Sequence, residues 1–88
     1  MKKILLFGSS HCPDCEPMKE FLSANGIKFA YIDITASMFN LKMYLKYRDG
    51  RPEFAEVKKA GRVGVPFIVI NNGERIIFDR PNIDELKD

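Results

Sequence analysis

Residues 3–15 read KILLFGSSHCPDC, and this stretch carries the strongest indication of the fold. Its first part, Lys3 to Phe7, holds four consecutive apolar residues, a pattern that favours a central strand buried on both faces. A glycine and two serines then lead to two cysteines three positions apart, Cys12 and Cys15. The stretch therefore predicts a buried strand, a short loop and a pair of thiols.

A helix is predicted to begin at this cysteine motif. Pro13 suits a first helical position, and Asp14 and Glu16 suit the positive end of a helix dipole. Pro17 predicts an irregular first turn, because its missing N–H would have bonded the carbonyl of Pro13. Asn25-Gly26 predicts the end of the helix. The apolar stripe of this helix is predicted at Cys15, Met18, Phe21 and Leu22.

The middle of the chain predicts a second strand and two further helices. Phe29 to Ile34 alternates between apolar and polar residues, as a half-buried strand does. Thr35 or Ser37 can cap a helix from Met38 to about Arg48, and a shorter helix is predicted over 52–60. The core stripe of the longer helix is predicted at Met38, Leu41 and Leu45.

The end of the chain predicts a hairpin and a terminal helix. Phe67 to Ile70 and Arg75 to Phe78 are predicted strands, joined across an Asn-Gly pair that is a strong hairpin signal. Residues 82–87 are predicted to form a short helix. The element order makes the first two strands parallel and the last two antiparallel. The predicted fold class is α/β, with a mixed four-stranded sheet flanked by helices on both faces.

The size and charge of the chain limit the classes of protein it can be. Its 88 residues are expected to form a single domain, residues 1–88. A net charge of +2 is too small to indicate nucleic acid or an anionic membrane as a partner. No apolar run approaches the ~18 residues of a membrane span, and the opening apolar run is too short for a signal peptide. A cytoplasmic protein is therefore expected.

The segment 42–62 leaves two interpretations open. It carries seven basic residues against three acidic ones. These charges form either a solvated helix face or a basic patch that steers an acidic partner or an anionic thiol. The helix in this segment also carries apolar residues outside its predicted stripe, which either enlarge the core or form a docking surface or dimer contact. These residues are Phe39, Met43, Tyr44 and Tyr47.

Two cysteines three apart at a helix start suit thiol–disulfide chemistry. The thiolate is the attacking species, and the free N–H groups of a first helical turn stabilise it. Cys12 is expected to be exposed and to attack a substrate disulfide, and Cys15 is expected to resolve the mixed disulfide. Asp14 would oppose a thiolate at Cys12, whereas a protonated His11 would favour it.

Metal binding by the same cysteines is the alternative. A zinc site within one chain would need carboxylates beside the two thiols and His11, the only histidine. A ferredoxin-like fold that transfers a soft metal would need a different element order, because here two helices are predicted between the second and third strands. A purely structural cysteine pair also stays open.

The chain resembles the glutaredoxins in two motifs. These are Cys12-Pro13-Asp14-Cys15 after the first strand, and Gly64-Val65-Pro66-Phe67 at the opening of the third. The resemblance implies a thioredoxin-like fold, a cis Pro66 that faces the two cysteines, and a Val65 backbone that pairs with a thiol substrate. We include Pro13 and His11, the neighbours of Cys12, among the predicted substrate-binding residues.

The resemblance also implies a function. It is the reduction of protein disulfides or glutathione mixed disulfides, with no bound cofactor. Electrons would come from glutathione as co-substrate or from a thioredoxin-type reductase. Relatives that hold an iron–sulfur cluster between two chains usually lack the proline after the first cysteine. A soft-metal or iron–sulfur-binding module is therefore the alternative function.

The chain departs from the family pattern beside the predicted site. Many glutaredoxins have a lysine three positions before the first cysteine, where this chain has Ser9. A Gly-Gly turn and an acidic pair usually follow the fourth strand. This chain has residues 78–81 there, which read FDRP, and its acidic pair, Asp84 and Glu85, lies further on. These departures leave the electron donor open.

Overall fold

The computed structural model describes residues 2–87. Within this range, the four strands belong to one sheet, and helices separate them in sequence except for the last two, which are consecutive. The strands are β1 (Ile4–Gly8), β2 (Ala30–Asp33), β3 (Phe67–Ile70) and β4 (Arg75–Ile77). The helices are α1 (Cys15–Ala24), α2 (Met38–Gly50), α3 (Ala55–Lys59) and α4 (Ile83–Leu86), with a 3-10 turn at Pro52–Phe54 before α3.

The sheet is mixed, in the order β2-β1-β3-β4. Strand β1 pairs in parallel with β2 and antiparallel with β3, and β3 pairs antiparallel with β4. Every residue of the two central strands is buried, as their apolar sequences predict. The predicted fold class is confirmed, including the hairpin, whose loop takes positive φ at Asn71, Asn72 and Gly73.

Each face of the sheet carries its own core. Leu5 and Phe7 point to one face, where α2, the 3-10 turn and α3 pack. Ile4 and Leu6 point to the other face, where α1 and α4 pack. This alternation follows from the two-residue repeat of a strand.

Helix α1 begins two residues later than the sequence predicts, because Pro13 is the predicted first residue. Pro13 is not the first helical residue, because Cys15 is, and Asp14 occupies the N-cap position. Pro17 is then the third residue of the helix, where the backbone N–H has no partner within the helix in any case. A proline is therefore tolerated there, and the predicted irregular turn lies before the helix rather than inside it.

Helix α2 buries a face that matches the predicted stripe only at Leu41, which packs against the core. Ser37 caps it by accepting a hydrogen bond from the Asn40 N–H, as predicted. Tyr44 and Tyr47 are its buried residues, whereas Met38 is 72% exposed and Leu45 is 37% exposed. The two tyrosine rings pack with Phe67 and Phe7 respectively, and so they set the orientation of the helix.

Candidate active site

The two cysteines lie where β1 ends and α1 begins. The Cys12 N–H donates to the Ser9 carbonyl at 3.1 Å, and the Cys15 N–H donates to the Cys12 carbonyl at 3.3 Å. The motif is therefore a turn that becomes a helix only at Cys15. Cys12 lies before the helix, and Cys15 is its first residue rather than its third, which corrects the placement predicted from Pro13.

Cys12 is the more accessible thiol of the pair. Its side chain is partly exposed, and its Sγ lies 3.8 Å from the carbonyl oxygen of Val65. The Val65–Pro66 peptide bond that follows is cis. The loop before β3 thus brings the main chain of Val65 against the first cysteine.

Cys15 is the buried thiol. It is 1% exposed. Burial is the main cause that raises its pKa to about 12, and the neighbouring Cys12 thiol and the Asp14 carboxylate raise it further, whereas a backbone hydrogen bond at Ser9 lowers it. Cys15 therefore carries its proton at neutral pH.

A glycine makes room for the Cys15 sulfur. A Cβ atom added to Gly8 would lie 2.8 Å from Cys15 Sγ and 3.0 Å from the Tyr31 hydroxyl oxygen. Burial and the charge of Cys15 raise the pKa of Tyr31 to about 12. The Lys19 ammonium group lies 4.2 Å from the centre of the Tyr31 ring. Cys15 is thus enclosed by the β1 backbone and an uncharged phenol.

A cleft of about 440 Å³ opens beside Cys12. We call it the thiol cleft. Its apolar walls come from three separate segments: Pro13 beside Cys12, Ile34 after β2, and Val63 and Val65 before β3. The other lining residues are Ser9, His11, Cys12, Asp14 and Thr35.

The polar side chains at the back of this cleft bond to one another. Ser9 Oγ accepts a hydrogen bond from the His11 N–H at 3.1 Å and lies 3.2 Å from Thr35 Oγ1. The Thr35 hydroxyl donates to Asp33 Oδ1 at 2.6 Å. This bond, together with the one from the Thr35 N–H, lowers the pKa of Asp33. The network ties the end of β2 to the cysteine loop.

A second depression, of about 480 Å³, lies on the other side of Val65. We call it the flanking groove. Pro66 and Phe78 line it, together with the carboxylates of Asp14 and Asp79 and the side chain of Arg62. Asp14, Val63 and Val65 border both depressions, so the two together form one surface across the main chain of Val65.

The structure brings most of the predicted site residues together. Cys12, His11, Pro13 and Val65 line the thiol cleft, and Pro66 lies in the flanking groove instead. Cys15 does not line the cleft, and its sulfur lies next to Gly8 at the end of β1.

The prediction missed several residues of the site. Ile34 and Val63 come from segments distant in sequence, and no local pattern connects them to the cysteines. Gly8 had a usable signal, since a glycine between a buried strand and a cysteine motif suggests close approach of another group. The missed residues are Gly8, Tyr31, Ile34, Thr35 and Val63.

The described residues offer few side chains that could bind a metal ion, as the alternative function requires. Among residues 2–87, no group of three or more histidine, cysteine or acidic side chains is arranged to hold a metal ion. The two thiols of the motif are the soft donors that this part of the chain offers at the site.

The fold is of the thioredoxin class. It has a mixed sheet with helices on both faces, and its two cysteines lie at the start of α1, Cys12 before the helix and Cys15 as its first residue. Solved structures share this fold. A glutaredoxin from Archaeoglobus fulgidus is 24% identical, with a TM-score of 0.63 over 98% of this chain and 86% of that one. A mutant of a thioredoxin-like protein is 24% identical, with a TM-score of 0.61 over 96% of this chain and 93% of that one.

Sequence similarity identifies the family of this chain. The glutaredoxin family pattern matches residues 4–76, and the chain belongs to the glutaredoxin family. An uncharacterized protein of Haemophilus influenzae is 32% identical over 77 residues, which cover 88% of this chain and 90% of that protein. The resemblance inferred from the two motifs is therefore confirmed.

Proposed function

We propose that this protein is a thiol–disulfide oxidoreductase in which Cys12 is the nucleophile and Cys15 the resolving thiol. The proposal rests on the difference in exposure between the two cysteines. Cys12 is partly exposed in a cleft, whereas Cys15 is 1% exposed and lies within hydrogen-bond reach of Cys12. Membership of the glutaredoxin family supports this class of chemistry.

The first step is attack on a substrate disulfide. The Cys12 thiolate attacks one sulfur, the substrate disulfide breaks, and the other substrate sulfur leaves as a thiolate that takes a proton from water. Cys12 is now in a mixed disulfide. The Val65 carbonyl next to Cys12 Sγ is the main-chain group available to align a bound polypeptide at this point.

The second step is resolution by Cys15. Two of the causes that raise the pKa of Cys15 come from the free Cys12 thiol, its hydrogen bond and its charge. Both disappear when Cys12 enters the mixed disulfide, so Cys15 ionises more readily at that stage. Its thiolate attacks Cys12 Sγ, the second substrate thiol leaves, and the protein has given up two electrons as a Cys12–Cys15 disulfide.

Two electrons from a donor must then restore the dithiol. Glutathione and a thioredoxin-type reductase are the candidate donors, and a reducing compartment such as the cytoplasm suits a reductant of this kind. The alternative, a soft-metal or iron–sulfur module, would rest on the same two thiols, and no geometric feature of the site favours it.

The test compares the wild-type protein with Cys12→Ser in the reduction of a small mixed disulfide. Each is assayed with glutathione and, separately, with a thioredoxin reductase. Wild-type turnover is expected with at least one donor, and Cys12→Ser should lose it because the attacking sulfur is gone. Equal turnover by the two proteins would refute the proposal. The donor that supports turnover identifies the route by which the dithiol is restored.

A further inference from the structure

The thiol cleft lies where a substrate must place the residue next to its reactive cysteine. A disulfide attacked by Cys12 brings its sulfur to Cys12 Sγ, which forms part of the cleft lining. The neighbouring side chain of the substrate then has the cleft beside it. Pro13, Ile34 and Val63 supply apolar lining to this space from three separate segments of the chain.

Ser9 and Thr35 have little bonding capacity left for a substrate, so the side of the cleft that they line offers no polar partner. The other exposed polar side chains of the cleft are His11 and Asp14. Ser9 Oγ already bonds the His11 N–H and Thr35 Oγ1, and the Thr35 hydroxyl donates to Asp33. A polar substrate group would lose water here without gaining a partner, which is unfavourable. An aliphatic group would instead gain from leaving water, at roughly 25 cal/mol per Å² of buried area.

The charges around the site disfavour a small anionic thiol. Glutathione carries two carboxylates and one ammonium group. Apart from Cys12, the ionisable residues that line the thiol cleft are His11 and Asp14. In the flanking groove, Asp14 and Asp79 face a single cation, Arg62. A carboxylate of glutathione would therefore approach Asp14 in either depression. The cations of the groove and of the depression next to it, Arg62 and Arg80, each share their space with Asp14 and Asp79.

We infer that the thiol cleft is a subsite for an aliphatic side chain. The preferred substrate is accordingly a polypeptide disulfide whose cysteine is flanked by apolar residues, and glutathione disulfides are poor substrates. This inference rests on the proposed oxidoreductase function and names its substrate class. Val63, which is 51% exposed at the mouth of the cleft, is the specificity residue that mutation can test without disturbing the core.

The experiment uses four disulfides and no electron donor. Three are disulfide dimers of the blocked tripeptides Leu-Cys-Leu, Ser-Cys-Ser and Glu-Cys-Glu, and the fourth is glutathione disulfide. The protein is first reduced with a phosphine, which is then removed. The rate at which the protein loses two hydrogens to form the Cys12–Cys15 disulfide is followed by acid quench and mass spectrometry.

The leucine peptide should react roughly tenfold faster than the serine peptide, the lower end of the range for one apolar group in a pocket. The glutamate peptide and glutathione disulfide should be slower still. In Val63→Asp the advantage of leucine over serine should fall severalfold, and in Val63→Ser it should fall in part. Leu45→Asp is the matched control, because it places the same charge on α2 outside both depressions, and it should keep the wild-type preference.

The possible results separate this inference from the proposed function. If the wild-type protein reduces all four disulfides at similar rates, or glutathione disulfide fastest, the oxidoreductase function stands and the apolar subsite is refuted. A leucine preference that Val63→Asp leaves unchanged also refutes the subsite. If the wild-type protein reduces none of the four, both conclusions fall.

Discussion

Cys12 and Cys15 are three residues apart, but their surroundings give them different chemistry. Cys12 lies in a turn that opens to the thiol cleft, and Cys15 begins a helix that packs on the sheet. The burial of Cys15 raises its pKa to about 12. At the scale of single residues, the proposed order of attack therefore rests on exposure and desolvation as much as on the motif.

The raised pKa values of Cys15 and Tyr31 predict a loss of stability at alkaline pH. Both are about 12 in the folded protein, against ordinary values of 9.0 and 10.0. From about pH 9 upward the unfolded chain releases these protons while the folded protein keeps them, so the free energy of unfolding should fall towards pH 12. Each group can contribute a slope of up to about 1.4 kcal/mol per pH unit.

Urea denaturation of the reduced protein at a series of pH values checks this prediction. Tyr31→Phe and Cys15→Ala each remove one of the two groups, so each should fall less steeply with pH than the wild type. A pH dependence with the same slope in all three proteins would contradict the assigned cause.

At the scale of elements, the site depends on how closely α1 approaches β1. Gly8 ends β1 and leaves the space that the Cys15 sulfur fills. The buried apolar stripe of α1 (Met18 and Leu22) anchors the helix on that face of the sheet. The position of the Cys15 thiol is therefore fixed by one glycine and one helix face.

Gly8→Ala tests this close approach. The new Cβ would lie 2.8 Å from Cys15 Sγ, so the helix start or the thiol must move. A destabilisation of about 1–3 kcal/mol is expected, as for other overpacked cores, together with slower formation of the Cys12–Cys15 disulfide.

Gly50→Ala is the matched control for this substitution. A Cβ there has no neighbour within 4 Å, and Gly50 ends α2. Alanine should be neutral at this position or stabilising by up to about 1 kcal/mol. Urea denaturation measures both variants, and equal midpoints for Gly8→Ala and the wild type would contradict the packing account.

The elements were predictable to different degrees for physical reasons. Strands β1 and β3 are apolar at every position but one, and only a fully buried strand satisfies such a run. Helix α2 has two competing apolar faces, and its spacing alone favoured Met38 and Leu45. The larger Tyr44 and Tyr47 rings are buried instead, because they pack on aromatic rings from β1 and β3. These tertiary contacts cannot be inferred from the local sequence.

The residues of the candidate site were also predictable to different degrees. The motif between β1 and α1 and the Val65-Pro66 pair were predictable because each is a local sequence signal. The thiol cleft was not, since Ile34 and Val63 reach it only through the parallel pairing of β1 with β2 and the approach of the loop before β3.

At the scale of the whole molecule, the sheet separates two cores and carries the site at one end. No helix within residues 2–87 has the length and hydropathy that crossing a bilayer requires. Two lysines of the basic segment, Lys42 and Lys46, lie with Phe39 and Met43 around a shallow depression on α2. Phe39 is 70% exposed there, so the docking role of this helix stays a prediction.

The division of labour between the two cysteines is the central claim, and Cys15→Ser tests it most directly. The reduced variant is mixed with a disulfide substrate, digested, and its peptides are mapped by mass spectrometry. The account predicts a stable mixed disulfide on Cys12, because the thiol that would release it is missing. If Cys12 carries no adduct under conditions in which the wild-type protein forms its internal disulfide, the proposed order of attack is wrong.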